Sequence, residues 1–81
     1  MQIDIRKSAI KDLKKIDAVN RGKIHSRILE LKNFPNVSNI KKLTNFEPAY
    51  RLRVGNYRVL FDISGNRIDI GRVLHRKNSY K

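Results

Sequence analysis

Two Gly-Asn pairs, Gly55-Asn56 and Gly65-Asn66, constrain this chain more than any other feature. Each separates runs in which apolar and polar residues alternate: 50–54 (YRLRV), 57–63 (YRVLFDI) and 67–74 (RIDIGRVL). Gly at the first central position of a two-residue loop marks a type II′ turn, because that position needs a positive φ. Two such turns in succession predict a three-stranded antiparallel meander. A two-residue turn also fixes pairing. Val54 then faces Tyr57, Arg53 faces Arg58, Leu52 faces Val59 and Tyr50 faces Phe61.

Side chains alternate between the faces of a strand. Tyr50, Leu52, Val54, Tyr57, Val59 and Phe61 therefore share a covered face, and Arg51, Arg53 and Arg58 share the open one. Directly opposed residues have Cβ atoms roughly 5 Å apart, so Arg53 against Arg58 costs electrostatic energy unless an anion lies between them. Solvated polar faces are the ordinary outcome for antiparallel sheets. Here the convergence of arginines, and the basic tail HRKNSYK with its tyrosine, favour a site for RNA phosphate. Arg grips phosphate bidentately, and an exposed Tyr stacks on a base.

The second hairpin pairs Ile63 with Ile68, Phe61 with Ile70 and Asp62 with Asp69. Carried further, this register sends Arg72 into the core and Val73 out. A β-bulge at Gly71 would correct the parity beyond it, and the sequence leaves open whether one forms.

The first half reads as a short strand and two helices. QIDIR alternates Ile3 and Ile5 with polar residues. Ser8 offers an N-cap to a helix carrying Ala9, Leu13 and Ile16 on one side and Lys7, Lys11, Lys14 and Lys15 on the other. Asp17 or Asn20 caps a second helix with Ile24, Ile28 and Leu31 as its stripe. Phe34 closes that stripe and Pro35 stops it. Residues 35–49 read as an irregular connection with a short extended piece around Ile40 to Leu43. The expectation is a single α+β domain over residues 1–81, in the order β-α-α-β-β-β. A helix pair covers one face of a small, mainly antiparallel sheet.

With 81 residues the chain builds one small core. Nineteen Lys and Arg against seven Asp and Glu give net +12, a field attractive to polyanions. Charge alone leaves nucleic acid, ribosome, acidic protein and anionic membrane open. The absence of cysteine excludes disulfides and thiolate zinc sites, and two histidines, His25 and His75, argue against a metal cluster or cofactor. No apolar run is long enough for a signal peptide or a membrane span, so a cytoplasmic location without membrane contact is the default.

The stretch KKLTNFEPAYRLRVGNYRVLF (41–61), followed by HRKNSY (75–80), resembles the RelE/ParE family of bacterial toxins from toxin–antitoxin pairs. The helix pair fits the same layout, so the resemblance covers nearly the whole chain. It implies a fold like that of microbial ribonucleases, a small acidic antitoxin as partner, and no cofactor. RelE-like members cut mRNA in the ribosomal A site, which makes an endoribonuclease the leading expectation. A ParE-like toxin that poisons DNA gyrase and cuts nothing is the alternative. By matching position, Arg51 and Arg53 fall where relatives carry Lys or Arg on the first hairpin strand. Arg58 matches the basic residue after the turn, Arg76 the Arg near the end of the last strand, and Tyr80 the C-terminal aromatic. The implied catalytic set is Arg51, Arg53, Arg58, Arg76 and Tyr80. His75 is either a general acid or base or a strand-end residue facing solvent. Thr44 and Leu74 stand where many relatives have Gly, and the chain stops at Lys81, short of the C-terminal helix of some relatives.

Overall fold

The computed structural model describes residues 1–43 and 49–78. Strand β1 (Gln2–Ile5) leads into helix α1 (Lys7–Lys14) and helix α2 (Ala18–Glu30), which tightens into a 3-10 turn at Leu31–Asn33. Four strands follow: β2 (Ile40–Lys42), β3 (Tyr50–Val54), β4 (Tyr57–Ser64) and β5 (Arg67–His75), ending in a 3-10 turn at Arg76–Asn78. The sheet runs in the order β1-β5-β4-β3-β2. Three pairings are antiparallel, and β1 joins β5 in parallel. The α+β order expected from sequence is the one observed, with the short extended piece at Ile40 as the edge strand β2.

The hairpin register follows the turns. Val54 pairs with Tyr57, Arg53 with Arg58, Leu52 with Val59 and Tyr50 with Phe61. Gly55 and Gly65 have φ of +57° and +59°, whereas the asparagines that follow them are not left-handed. That combination is the type II′ requirement. The strain of a substitution at Gly55 would be purely conformational, since a Cβ there meets nothing within 4 Å.

The parity correction in β5 is also present. Phe61 pairs with Ile70 but Leu60 pairs with Arg72, leaving Gly71 as the extra residue. Beyond it Val73 is buried at 3% exposure and Arg72 is exposed. A Cβ on Gly71 would meet the Leu60 carbonyl at an ordinary 3.7 Å. The bulge is therefore required by the Ile68-Ile70-Val73 pattern rather than by glycine itself.

The core lies between the sheet and both helices. Ile24, Ile28 and Leu31 of the second helical stripe are fully buried with Leu52, Val59, Phe61, Ile68 and Ile70, and Ala9 joins them from α1. An aromatic knot closes one end: Tyr50 stacks on Phe61 at 5.4 Å between ring centroids, and Phe34 meets both rings edge-on. Phe34 thus closes the stripe as expected, just before Pro35.

Capping differs at α1. The helix begins at Lys7, one residue ahead of Ser8, and its N-cap position, Arg6, makes no side-chain cap. The Ser8 hydroxyl instead donates to the Gly71 carbonyl at 2.6 Å, where a tertiary acceptor competes with the local amides. Asp17 does cap α2, accepting from the Asn20 amide at 3.1 Å.

Asp12 joins α1 to β5. It accepts from Arg72 Nε at 2.7 Å, from Arg72 Nη2 at 3.2 Å and from the Val73 amide at 2.9 Å. Desolvation opposes its charge, but the Arg72 side chain, the Val73 amide and the nearby Lys15 outweigh this and hold the carboxyl below the usual aspartate range. A folded-state pKa below the unfolded one contributes stability above the unfolded value, and that stability is lost as pH falls through the folded one.

Two expectations follow. Chemical denaturation of wild type should show stability falling as pH drops below about 4, and Asp12→Asn should flatten that fall. Phe61→Ala removes a fully buried ring and should cost about 3–5 kcal/mol, read from denaturant midpoints at constant slope.

Candidate nucleic-acid interface

The face of the sheet opposite the helices carries the arginines. Pairing Lys41 with Arg51, Arg51 with Leu60, and Leu60 with Arg72 sets these four across one level of the sheet. Arg53, Arg58 and Leu74 form the next level. The expected convergence of Arg51, Arg53 and Arg58 is therefore observed.

Their environments differ. Arg53 is exposed, Arg51 is half-buried and Arg58 is buried at 5% exposure. Arg58 does not confront Arg53 across the hairpin with a bare charge. Its Nη1 donates to the carbonyls of Gly55 at 3.3 Å and Tyr57 at 3.1 Å, so the turn's own dipoles offset the like-charge opposition. Its Nε has no hydrogen-bond partner among the described residues. The three arginines of the open face differ in depth, and Arg58 lies beneath the surface that Arg53 presents.

The opposed carboxylates are resolved in a similar way. Asp69, 8% exposed, takes the Arg67 fork at 3.0 and 3.2 Å. Asp62 accepts from the Ala49 amide at 2.6 Å. Each acid has its own partner, so their register neighbourhood is tolerated. Acid groups thus do occupy this face, at the end away from the first turn.

Arg76 is brought near the arginines by backbone. Its amide donates to the Asn56 carbonyl at 2.7 Å, which sets it beside the first hairpin turn, at the same end of the sheet as Arg53 and Arg58. His75 goes elsewhere. It pairs with Tyr57, packs edge-on against that ring at 5.2 Å, and accepts the Lys77 amide on Nδ1 at 3.2 Å. Parity puts it on the helix side, where it lines a pocket of about 310 Å³ with Asp12, Lys15 and Tyr57. The bulge is the cause: after Gly71, Leu74 faces Arg58 and His75 faces α1. Tyr80 and Thr44 lie outside the described residues.

Two basic contributions were not read from sequence. Lys41 lies opposite Arg51, but no tight turn fixes the β2 register in advance. An open groove of about 660 Å³ runs between α2 and the end of β3, lined by Lys23, Arg27 and Arg53 with Ser26 and Asn39. Asn39, with φ of +64°, lies on its wall just before β2 begins at Ile40. Arg27 is held by Glu30 at 3.0 Å and the Ser38 carbonyl at 2.6 Å, whereas Lys23 and Arg53 form no ion pair among the described residues. Among those residues no group of three or more His, Cys, Asp or Glu is placed to hold a metal.

Comparison with known proteins agrees with this layout. A family model described as the ParE toxin of a type II toxin–antitoxin system matches residues 3–80. Toxin RelE3 of Methanocaldococcus jannaschii is 37% identical over 99% of this chain and 96% of its own length. The RelB-RelE antitoxin–toxin complex from Methanococcus jannaschii contains a chain with TM-score 0.78 and 36% identity, covering 95% of this chain and 94% of that one. The toxin–antitoxin complex RelBE2 from Mycobacterium tuberculosis gives TM-score 0.78 at 26% identity, covering 93% and 96%. On the strength of the family model and the 37% identical relative, this chain belongs to the RelE/ParE family of type II toxin–antitoxin toxins.

Proposed function

We propose that this toxin is a ribosome-dependent mRNA endoribonuclease whose arginine face holds the scissile phosphate. The observation that carries the reading is the convergence of Arg51, Arg53 and Arg58 on one sheet face, with Arg76 at the same end. Relatives bearing the RelE name over nearly the full length support the branch. The partner is a small acidic antitoxin. The similar chains from Methanococcus jannaschii and Mycobacterium tuberculosis are both known from toxin–antitoxin complexes. The reaction takes place in the cytoplasm, where mRNA occupies the ribosomal A site.

The chemistry needs in-line attack of a 2′-oxygen on the adjacent phosphorus. The new 2′-O–P bond closes a cyclic phosphate as the P–O5′ bond breaks. The 2′ proton passes to a base, and the leaving 5′-oxygen takes up a proton. Arginines stabilise the charge that builds on the phosphoryl oxygens, a role worth most where donors are already oriented. Arg58, anchored on the turn carbonyls, contributes a fixed buried charge, and Arg76 meets the phosphate with it. Arg53 and Arg51 grip the flanking backbone, and Tyr80 stacks on a base. His75 faces α1 in this structure, away from the arginine face, and is not assigned the base.

The family model's own description favours a second reading, a ParE-like inhibitor of DNA gyrase that cuts no RNA. Induction in cells separates the two. The nuclease reading expects growth arrest with new mRNA 5′ ends inside translated codons, mapped by primer extension. Arrest with intact mRNA and gyrase-linked DNA breaks would transfer the assignment to the second reading. Arg76→Ala and Tyr80→Ala should each slow cutting at least about tenfold, equivalent to about 1.4 kcal/mol of barrier, with the fold intact by circular dichroism. Wild-type rates in a folded double variant would refute the site.

A further inference from the structure

Strand β5 outruns its parallel neighbour. The β1 pairing ends at Ile5 opposite Ile70, yet β5 continues to His75 with β4 on one side only. Helix α1 occupies the other side. Ser8 Oγ donates to the Gly71 carbonyl at 2.6 Å, and four residues later Asp12 accepts the Val73 amide at 2.9 Å. Residues at i and i+4 sit one above the other on a helix. One line of α1 thus replaces the missing strand for the segment that contains the bulge.

That segment has two possible registers. In the bulged one, Leu60 pairs with Arg72 and Val59 with Val73. Without the bulge, Leu60 would meet Gly71 and Val59 would meet Arg72. A one-residue slip moves every later side chain to the other face. His75 would then turn toward the arginines, and the bond from the Arg76 amide to Asn56 would be lost. Gly71 itself does not select between the registers, since its conformation and surroundings would accept a side chain. The Ile68-Ile70-Val73 core pattern favours the bulged one, and Asp12 adds to that preference by taking the Val73 amide and the Arg72 fork together.

We propose that Asp12 is a positioning residue for RNA cleavage: by capturing the Val73 amide beside Arg72 it holds β5 in the bulged register and so delivers Arg76 to the arginine face. It touches no substrate. The kinetic part rests on the nuclease reading above; the register part stands without it. Reach matters more than charge in this role. Asn at position 12 keeps an acceptor at the right distance, whereas Glu keeps the charge but overshoots the amide by a methylene.

The full-length chain and its Asp12→Asn, Asp12→Glu and Asp12→Ala variants are compared by NMR and by cleavage of mRNA on programmed ribosomes. Asp12→Asn should retain the cross-strand Val59–Val73 contact and cut within about threefold of wild type. Asp12→Glu and Asp12→Ala should weaken that contact and bring up a Val59–Arg72 contact beside it. Their rate at saturating ribosomes should fall at least about tenfold, with the half-saturating concentration changed by less than about twofold. A purely electrostatic or stabilising role predicts the reverse order, with Glu tolerated and Asn impaired, and that order would overturn the proposal. So would a Val59–Val73 contact retained at wild-type strength in both Asp12→Glu and Asp12→Ala. If Asp12→Ala does not fold, Asp12→Glu carries the same comparison. If wild type cuts no mRNA, the nuclease reading fails and the NMR contacts alone decide the register.

Discussion

The parity of strand β5 across Gly71 is the constraint on which the rest of the structure depends. Ile68 and Ile70 enter the core at alternate positions, but the next core residue is Val73, three further on. A regular strand cannot bury all three. The chain inserts one extra residue against Leu60, and everything downstream changes face. This one step keeps Arg72 out of the core, sends His75 toward α1 and sets Arg76 beside the first hairpin turn. The cost of the bulge is offset by α1, whose Ser8 and Asp12 satisfy backbone groups on the edge that β1 leaves uncovered.

A second theme is how a chain of net +12 tolerates like charges in register. Arg53 and Arg58 are directly opposed, as are Asp62 and Asp69. The structure gives members of these pairs different depths and partners. Arg58 turns into the carbonyls of its own hairpin, Asp69 takes Arg67 and Asp62 takes the Ala49 amide. Arg53 is left at the surface, where it belongs both to the arginine face and to the groove along α2. A polyanion approaching this end of the sheet meets one exposed guanidinium backed by one buried and oriented. Oriented charge of that kind needs little reorganisation when it receives an anion.

Much of the fold was legible from particular residues. The Gly-Asn pairs determined the first hairpin to the residue and the second as far as Phe61 with Ile70, because a two-residue turn admits one pairing beside it. The stripe Ile24, Ile28, Leu31 and the stop at Pro35 located α2, and Asp17 its cap. Ser8 reads as a cap in sequence because local amides are its only visible partners there. The acceptor it uses, Gly71, is sixty-three residues away. Of the candidate site, Arg51, Arg53 and Arg58 were placed on one face by alternation alone. Lys41 is not legible in sequence since β2 has no turn to fix its register, nor are the lysine and arginine of the α2 groove, since how a helix seats on a sheet has no sequence period.

The local grammar of the chain thus determined which residues pair across each hairpin and which face each side chain takes up to Gly71. Those choices rest on turn dihedrals and strand alternation, which act over a few residues. Only the tertiary structure decided how deep each arginine lies, whether the bulge forms, and which side His75 joins. These depend on contacts such as Asp12 with Arg72 and Val73, made by groups about sixty residues apart. Burial and long-range hydrogen bonds are properties of the assembled core, so no window of sequence contains them.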